Sequence, residues 1–579
     1  MVFTPPPSVS TLPSDPPDSI SIAKFISNES YGRLPFAKSR NPYTCGITGK
    51  SYTALEVIER EDYLSRALGK ELNFDPSKGS EWDRVVAIFS LNTIDYIPIT
   101  HAVHRLNGIV TPVSFTASAA ELEQQLRSSK AKALVTCEPL IQVALEAAKR
   151  CGLPDSRIFL LELPNQECKA PFKTVTQLVD SGKQLPEVPS FQWPQGQGAK
   201  QVAYLCYSSG TSGLPKAVMI SHRNIIANVL QMTAYESAPR NQQGVFTQAV
   251  LGALPFSHIY GLVPITHLGA FRGDEIIVLP RFELTQALRA VARFKIEQLC
   301  VVPPILVQML NNADKCKKHN LESVRFVYTG AAPLGQETVD SVRKMYPKWH
   351  IGQGYGLTET ATVVTSTNEL DIWDGSIGTL IPDTKAKIIA SDGSEVTSYD
   401  TPGELLIQSP SVVLGYMGNE KATSEAFFSD DDGRWLRTGD EVLVRVSPSG
   451  DEHFFVVDRI KELIKVNGHQ VAPAELEAHL LSHSYVADCA VIQVPDPHTG
   501  ELPKAFIVKA KTVLDNHVQD KVVLEAIHKH VEENKARHKW LKGGIEFVQI
   551  IPKSPSGKIL RRLLRDKERE SRRVDKAKI

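Results

Sequence analysis

The sequence predicts an α/β fold: a large N-terminal domain of two α/β layered subdomains and a β-rich subdomain, followed by a small mobile α+β domain. Short apolar runs recur between helix-length segments, which is typical of strands buried on both faces of a mostly parallel sheet. At 579 residues the chain is too long for one core, and a hydrophobic share of 42% can fill several. The predicted strands are 85–89, 133–136, 158–163, 202–206, 276–279, 299–302 and 324–328.

The pattern of predicted strands and turns changes twice towards the C-terminal end of the sequence. From about residue 385 to 457, short strands alternate with Gly, Pro, Asp and Ser turn signals, which indicates the β-rich subdomain. After Asp458-Arg459, a unit over 460–579 contains predicted strands near 490–494 and 505–508 and a charged run that indicates a solvated terminal helix. We therefore predict a disordered arm at 1–19, a large domain at 20–457, a hinge at 458–459 and a small domain at 460–579.

Charge and composition exclude several classes of partner. Lys plus Arg equals Asp plus Glu at 65 each, so no global field attracts nucleic acid. The eight cysteines are scattered without a C-x-x-C pair, which fits a reducing compartment. Residues 241–271, which lie between Arg240 and Arg272, contain no Asp, Glu, Lys or Arg, but prolines and histidines interrupt the run. We therefore expect no transmembrane segment.

Both ends of the chain are informative. Residues 1–19 are rich in Pro and Ser and lack the apolar core of a signal peptide. The chain ends in Ala577-Lys578-Ile579, which resembles the peroxisomal tripeptide S-K-L. This predicts binding to the peroxisomal import receptor and a peroxisomal location, with a cytoplasmic location as the alternative.

A loop rich in Gly, Ser and Thr follows the predicted strand 202–206. Its N–H groups and hydroxyls can turn onto phosphate oxygens, while its lysine adds a positive charge. The spacing is not that of a Walker A loop, which disfavours a P-loop kinase, and by itself such a loop could also be a flexible linker. The predicted phosphate-binding residues are Ser208, Ser209, Gly210, Thr211, Ser212, Gly213 and Lys216.

Four further motifs follow in order: GQGYGLTET at 352–360, RTGD at 437–440, DR at 458–459 and PKSPSGK at 552–558. Together with the loop, they resemble the ordered core motifs of the adenylate-forming (AMP-binding) superfamily of acyl-CoA synthetases, luciferases and peptide-synthetase adenylation domains. The 4-coumarate:CoA ligase branch, with fungal phenylacetyl-CoA ligase-like enzymes, is the most similar.

The resemblance implies a role for each motif residue. Lys558 would bridge carboxylate and phosphate, although a lysine in a Ser-Pro-Ser-Gly turn could also be a solvated surface group. Thr358 would contact the α-phosphate and His258 would lie beside the adenylate carbonyl, where an ordinary core histidine is the alternative. Thr211 and Glu359 would hold Mg²⁺, which prefers oxygen ligands. The remaining ATP- or AMP-binding residues would be Ala331, Gln353, Gly354, Tyr355, Gly356, Asp440, Arg459, Lys461 and Gln470.

Two further sets of residues follow from the resemblance. The acyl pocket would be lined by Ile259, Tyr260, Pro264, Gly330, Ala331, Gly354, Thr362 and Val363. Its small residues are interpreted as leaving depth, which favours an aromatic or medium-chain acid. Coenzyme A would pass Lys465, Asn467 and Gly468, where Asn467 replaces the family's lysine; Ala217 likewise replaces a glycine after Lys216.

These features predict an acyl-CoA ligase that uses a carboxylic acid, ATP, Mg²⁺ and coenzyme A, with secondary metabolism or β-oxidation as its setting. The small domain would pivot at the hinge between the two half-reactions. Transfer of the acyl group to a carrier protein is the main alternative. A luciferase-like oxygenase and a non-enzymatic nucleotide sensor are others, and retained Lys558, Glu359 and Asp440 argue against the sensor.

Overall fold

The computed structural model describes residues 1–189, 191–208, 215–467 and 469–577, with side chains to Arg572. Its α/β architecture confirms the predicted fold class. Two large sheets are covered by helices, and a third, antiparallel sheet and a small α+β domain follow. Within the described residues, no helix has both the length and the apolar character needed to cross a bilayer.

Two large sheets form the body of the protein. In spatial order, the strands of the first are Thr379–Leu380, Thr362–Ser366, His350–Leu357, Phe326–Thr329, Gln298–Val301, Ala249–Gly252, Glu275–Val278, Tyr43–Cys45 and Ser51–Tyr52. Those of the second are Gly415–Tyr416, Lys216–Ser221, Val202–Ser208, Ile109–Val113, Val85–Phe89, Ala133–Thr136, Ile158–Leu160 and Lys173–Thr174. The central strands of both sheets are parallel and fully buried, which is why their sequences read as unbroken apolar runs.

The third sheet and the small domain complete the fold. The third sheet contains Lys385–Ile389, Gly403–Gln408, Gly433–Val446 and Phe427–Asp430, with Glu452–Arg459 paired to Gly433–Val446. The small domain contains His469–Val471, Ile464–Val466, Gly500–Lys509 and Val486–Asp496, with Ile545–Phe547 paired to Gly500–Lys509. The domain has its own apolar core, as expected of a unit that folds around a separate sheet.

The helices pack on the faces of these sheets. The α-helices are Ile22–Ile26, Ala54–Leu72, Tyr96–Arg105, Ala119–Ser129, Ile141–Cys151, Val175–Gly182, Gln197–Lys200, His222–Gln242, Leu268–Arg272, Leu284–Phe294, Pro303–Asn311, Ala313–Cys316, Gln336–Met345, Glu420–Ala426, Pro473–Leu481, Lys511–Asp515, Asp520–Asn534 and Arg561–Ala577. Short 3₁₀ turns are Glu29–Tyr31, Phe36–Lys38, Glu81–Arg84, Glu138–Leu140, Asp155–Arg157, Thr358–Thr360 and Arg537–Lys539. A π-helix, Gly261–His267, directly follows Tyr260; π-turns are rare and often occur at functional sites.

The N-terminal arm differs from the predicted disordered segment. Phe3 exchanges backbone hydrogen bonds with Ala386, at 2.8 and 3.0 Å, and its side chain is only 1% exposed. Its ring packs edge-on against that of Phe454, with centroids 5.7 Å apart. An apolar side chain among the prolines thus gives the arm enough buried surface to dock on the third sheet.

Buried imidazoles gather where the first helix meets the second large sheet. The members of this histidine cluster are His101, His104, His222 and His267. The Nδ1 atom of His101 lies 2.7 Å from Oε1 of Glu61, and Nδ1 of His222 accepts a hydrogen bond from the N–H of Ile22. The cluster therefore ties the N-terminal helix to the body of the large domain.

Candidate active site

The catalytic lysine candidate lies on a turn between two docked elements. Lys558 follows Gly557, whose φ of +80° favours glycine, and a Cβ atom on Gly557 would lie 3.0 Å from Cγ2 of Val302. The turn closes through a hydrogen bond from the N–H of Lys558 to Oγ of Ser554. The small domain therefore presents Lys558 against the large domain, at the start of the helix Pro303–Asn311.

The surroundings of Lys558 lower its affinity for a proton. Burial is the largest cause and the positive charge of Arg459 is the next, and together they lower the pKa of Lys558 to about 8. The carboxylates of Glu462, Asp440 and Glu359 act in the opposite direction. The structure thus brings Lys558 together with three predicted site residues, Arg459, Asp440 and Glu359, that lie far from it in sequence.

The carboxylate of Asp440 is buried and is contacted by Tyr355 and Arg459. It is 5% exposed, its Oδ2 accepts a hydrogen bond of 2.6 Å from the hydroxyl of Tyr355, and its Oδ1 lies 3.5 Å from Nε of Arg459. Burial raises the pKa of Asp440, against the influence of Arg459 and Tyr355. A carboxylate held in this way can accept hydrogen bonds from a pair of ribose hydroxyls.

His258 lies near enough to Lys558 to be influenced by its charge. It precedes the π-helix, and its Nδ1 accepts the N–H of Tyr260 at 3.3 Å. Burial, with a smaller contribution from the charge of Lys558, lowers the pKa of His258 to about 4. The imidazole is therefore neutral at pH 7 and can accept or donate one hydrogen bond.

The carboxylate of Glu359 is held by a residue that sequence reasoning missed. The hydroxyl of Tyr416 donates to Oε1 of Glu359 at 2.9 Å, and Nζ of Lys216 lies 4.7 Å from the centroid of the Tyr416 ring. Tyr416 reaches this place because Gly415–Tyr416 pairs with the strand Lys216–Ser221. Since that pairing is long-range, no local pattern in the sequence signals it.

The backbone around Thr358 is strained. Thr358 begins a 3₁₀ turn, and after it Ala361 has a φ of +50° and Thr362 one of +125°, which is an outlier for a β-branched residue. A Cβ atom on Gly356 would lie 1.5 Å from the carbonyl oxygen of Thr362, so only glycine fits there. Strain of this kind is typical of functional sites.

Several acyl-pocket candidates come together around Tyr328. A Cβ atom on Gly354 would lie 2.0 Å from Oη of Tyr328, and one on Gly330 would lie 3.1 Å from the carbonyl oxygen of Gly354. The hydroxyl of Tyr260 donates to the carbonyl of Tyr328 at 2.9 Å. Gly354 therefore permits close packing of its strand against Tyr328, which fills the space behind it, and the depth of the pocket stays a prediction.

The other pocket candidates are consistent with an apolar wall. Ile259, Tyr260, Pro264 and Val363 are buried, and the hydroxyl of Thr362 donates to the carbonyl of Ile259 at 3.3 Å. Ala331 is exposed, with a φ of +67°.

The side-chain amide of Gln353 is held by hydrogen bonds within the large domain. Its Oε1 accepts the N–H of Leu334, and its Nε2 donates to the carbonyl of Ser376, both at 3.2 Å. Tyr355, two residues further along the strand and hydrogen-bonded to Asp440, remains the aromatic candidate for stacking on the adenine base.

The predicted coenzyme A residues lie on the small domain, away from Lys558. Lys465 pairs with Gln470 in the ribbon formed by Ile464–Val466 and His469–Val471 at the edge of the small-domain sheet, and the side chains of Lys465, Gln470 and Lys461 are exposed. Asn467 has a φ of +48°, which asparagine tolerates better than lysine, and its N–H donates to the carbonyl of Thr499.

Several predicted residues lie outside the described part of the chain. They are Ser209, Gly210, Thr211, Ser212, Gly213, Gly468, Lys578 and Ile579. Ser208 and Lys216, which flank the phosphate loop, belong to neighbouring antiparallel strands. The peroxisomal address stays a prediction, as do the domain boundaries.

Comparisons with known proteins identify the family of this chain. The family model for the AMP-binding enzyme matches residues 44–417, and that for the AMP-binding enzyme C-terminal domain matches 475–558. Acyl-CoA ligase AFT1-1 of Alternaria alternata is 41% identical over 574 residues, covering 98% of this chain and 97% of the relative. Acyl-CoA ligase easD of Emericella nidulans is 39% identical over 570 residues, covering 98% and 100%.

Solved structures share the fold at low sequence identity. The anthranilate CoA ligase AuaEII, in complex with anthranoyl-AMP, has a TM-score of 0.77 at 21% identity, covering 95% of this chain and 97% of that one. A benzoate CoA ligase from Burkholderia xenovorans LB400 has a TM-score of 0.75 at 20% identity, covering 94% and 100%. With both family models and full-length relatives in agreement, the chain belongs to the AMP-binding enzyme family and is an ATP-dependent, AMP-forming acyl-CoA ligase.

Proposed function

We propose that this ligase activates an aromatic or medium-chain carboxylic acid, and that Lys558 is the cation that brings the acid onto ATP. The observation that carries the proposal is the convergence of Lys558, Arg459, Asp440 and Glu359 in one cleft between the two domains. These residues come from four separate motifs, at 352–360, 437–440, 458–459 and 552–558. Each has the chemistry that adenylation requires.

The first half-reaction joins two anions. A carboxylate oxygen of the acid attacks the α-phosphorus of ATP, the bond from that phosphorus to the bridging oxygen breaks, and diphosphate leaves. Because both reactants are negative, the protein contributes mainly by screening charge and holding the two groups in line. Lys558 in its protonated form supplies that charge at the reacting atoms, and Arg459 supplies a second cation.

The nucleotide site follows from Asp440 and Tyr355. The ribose hydroxyls would donate to the carboxylate of Asp440, which Tyr355 and Arg459 hold in position. The ring of Tyr355 would stack on the base, and Lys216 would pair with the outer phosphates after leaving the face of Tyr416. Lys461 and Gln470 are exposed on the small domain, so their proposed nucleotide contacts require movement of that domain.

The chemistry of the donors fits Mg²⁺. Within the described residues, no three His, Cys, Asp or Glu side chains form a metal cage. Magnesium does not need one, because it is usually held by one or two carboxylates together with substrate phosphates. Glu359, oriented by Tyr416, is the carboxylate we assign to it, with Thr211 as its predicted companion. Bound Mg²⁺ would neutralise phosphate charge.

The second half-reaction forms the thioester. The thiol sulfur of coenzyme A attacks the carbonyl carbon of the acyl-adenylate, the bond to the AMP oxygen breaks, and the thiol proton passes to solvent. We propose that the small domain turns at Asp458-Arg459 to bring the ribbon of Lys465 and Asn467 to the cleft. His258, neutral at pH 7, would then hydrogen-bond beside the carbonyl.

The acid is proposed from the walls of its pocket. Ile259, Tyr260 and Val363 are buried and apolar, while Tyr328 closes the space behind Gly354. This shape suits a flat ring or a chain of moderate length. Since a single methylene changes recognition by only about 1–3 kcal/mol, a panel of acids is needed to identify the substrate.

The test separates the two half-reactions. The protein is incubated with MgATP and a panel of aryl and medium-chain acids, with and without coenzyme A, and acyl-AMP and acyl-CoA are quantified. We expect acyl-CoA from wild type and loss of adenylation in Lys558→Ala. Accumulation of acyl-AMP that never becomes a thioester would contradict the ligase assignment and favour transfer to a carrier protein, with Asn467 as the cause. Failure of every acid to give acyl-AMP would refute the proposed substrate class.

A further inference from the structure

The guanidinium of Arg561 lies at the centre of a buried ion-pair network in the small domain. Nη1 lies 2.7 Å from Oε2 of Glu462, Nη2 lies 2.7 Å from Oε2 of Glu477, and Nε donates to the carbonyl of Val491. The three charged side chains are each 10% exposed or less. Charged hydrogen bonds at such burial fix geometry strongly, because a broken pair leaves an uncompensated charge out of water.

The network joins three elements that surround the hinge. Glu462 lies three residues after Arg459, and its N–H donates to the carbonyl of Arg459 at 2.8 Å. The 3.0 Å hydrogen bond from the N–H of Ala474 to Oδ2 of Asp458 ties the hinge to the helix that carries Glu477. Burial raises the pKa of Asp458, and the charge of Arg561 is the largest influence against that rise. Arg561 is therefore coupled to the hinge both by contact and by charge.

The same arginine begins the helix that leaves the catalytic turn. The turn is closed by hydrogen bonds between Ser554 and Lys558, and the N–H of Leu560 donates to the carbonyl of Pro552. Arg561 comes next, as the first residue of Arg561–Ala577. A short stretch of hydrogen-bonded backbone thus connects Lys558 to the network, with little freedom between them.

We infer that Arg561 is a positioning residue of the adenylation half-reaction, which fixes the turn carrying Lys558 to the hinge so that the lysine reaches the cleft at one defined place. The inference rests on the proposed role of Lys558. Its premise is geometric: the lysine approaches the large domain from a separate domain, so its position depends on how rigidly its turn is attached to the pivot. The ribbon of Lys465 begins shortly after Glu462, but it is held by its own backbone pairing of Val466 with Gly500, so we expect it to keep its place when the ion pairs of Arg561 are lost.

The experiment measures each half-reaction separately in the full-length protein, with an acid that wild type converts. Arg561→Met and Arg561→Lys are compared with Arg572→Met. Arg572 is a matched control because it lies on the same helix, pairs with Glu568 at 2.7 Å and contacts the same strand at the carbonyl of Pro495, but sits about 16 Å further along the helix than Arg561. Adenylation is followed by acid-dependent exchange of diphosphate into ATP, and thioester formation by supplying the acyl-adenylate with coenzyme A.

We expect adenylation to fall about 100-fold in both Arg561 variants, since misplacing a catalytic group by about 1 Å costs that much. The fall should appear in kcat with little change in the KM for ATP, while thioester formation and the Arg572→Met control stay near wild type. If Arg561→Met folds poorly, Arg561→Lys gives the same test, because lysine keeps a positive charge but lacks the forked guanidinium that reaches both Glu462 and Glu477. Equal loss of both half-reactions, or no loss of adenylation, would overturn the inference. Absence of product with wild type would instead count against the proposed function.

Discussion

The proton on Lys558 should limit adenylation at alkaline pH. With a pKa of about 8, the lysine is about 90% protonated at pH 7 and about 10% protonated at pH 9. Adenylation requires the charged form, so kcat/KM for the acid should fall about tenfold across this interval. A lysine with the ordinary pKa of 10.5 would change little over the same range.

The assay is acid-dependent exchange of diphosphate into ATP, without coenzyme A, so that ionisation of its thiol does not contribute. The ratio kcat/KM is the appropriate quantity because it reports groups of the free enzyme. Lys558→Arg is the control: arginine stays charged throughout, so whatever activity it retains should not decline between pH 7 and 9. A wild-type rate that stays level to pH 9, or a decline of the same size in Lys558→Arg, would refute the reasoning.

Three further predictions address other parts of the structure. Tyr416→Phe removes the hydrogen bond to Glu359. The Mg²⁺ concentration needed for half-maximal activity should rise about 10-fold, as is usual when a partner of a metal ligand is lost. An unchanged Mg²⁺ titration would contradict this. Gly354→Ala should strongly reduce adenylation because its methyl group would meet Oη of Tyr328. The double variant Gly354→Ala/Tyr328→Phe should recover part of the lost adenylation activity. No recovery in steady-state assays of the double variant would count against this clash. Phe3→Ala should lower the free energy of unfolding by about 3 kcal/mol, measured by urea denaturation, whereas a negligible change would mean that the arm does not stabilise the fold.

Local sequence patterns predicted the buried strands well. Val85–Phe89 and Ala133–Thr136 have the predicted bounds, because a strand buried on both faces must be apolar throughout. The predicted strand 324–328 is displaced to Phe326–Thr329, since Val324 is buried in the preceding turn and an apolar residue there resembles one in a strand. Burial is visible in a local pattern, whereas the residue at which pairing begins is set by the neighbouring strand.

The site was predictable only in part, for a related reason. Motif residues such as Lys558 and Asp440 could be named from the sequence because their neighbours in the chain identify them. Tyr416 could not, because its role arises from pairing between distant strands, and the space behind Gly354 could not be judged without seeing Tyr328 in it. Contacts between side chains that are distant in sequence are the part that needs a structure.

The histidine cluster makes the large domain sensitive to acid. Burial lowers the pKa of His104 to about 3 and holds those of His222 and His267 well below the ordinary value. The unfolded chain takes up protons on these rings below about pH 6.5, while the folded protein excludes them, so stability is complete above that pH and is lost as the pH falls. Each ring contributes about 1.4 kcal/mol per pH unit in that range. These buried rings thus make acid unfolding of the large domain steeper than it would be with apolar side chains in their place.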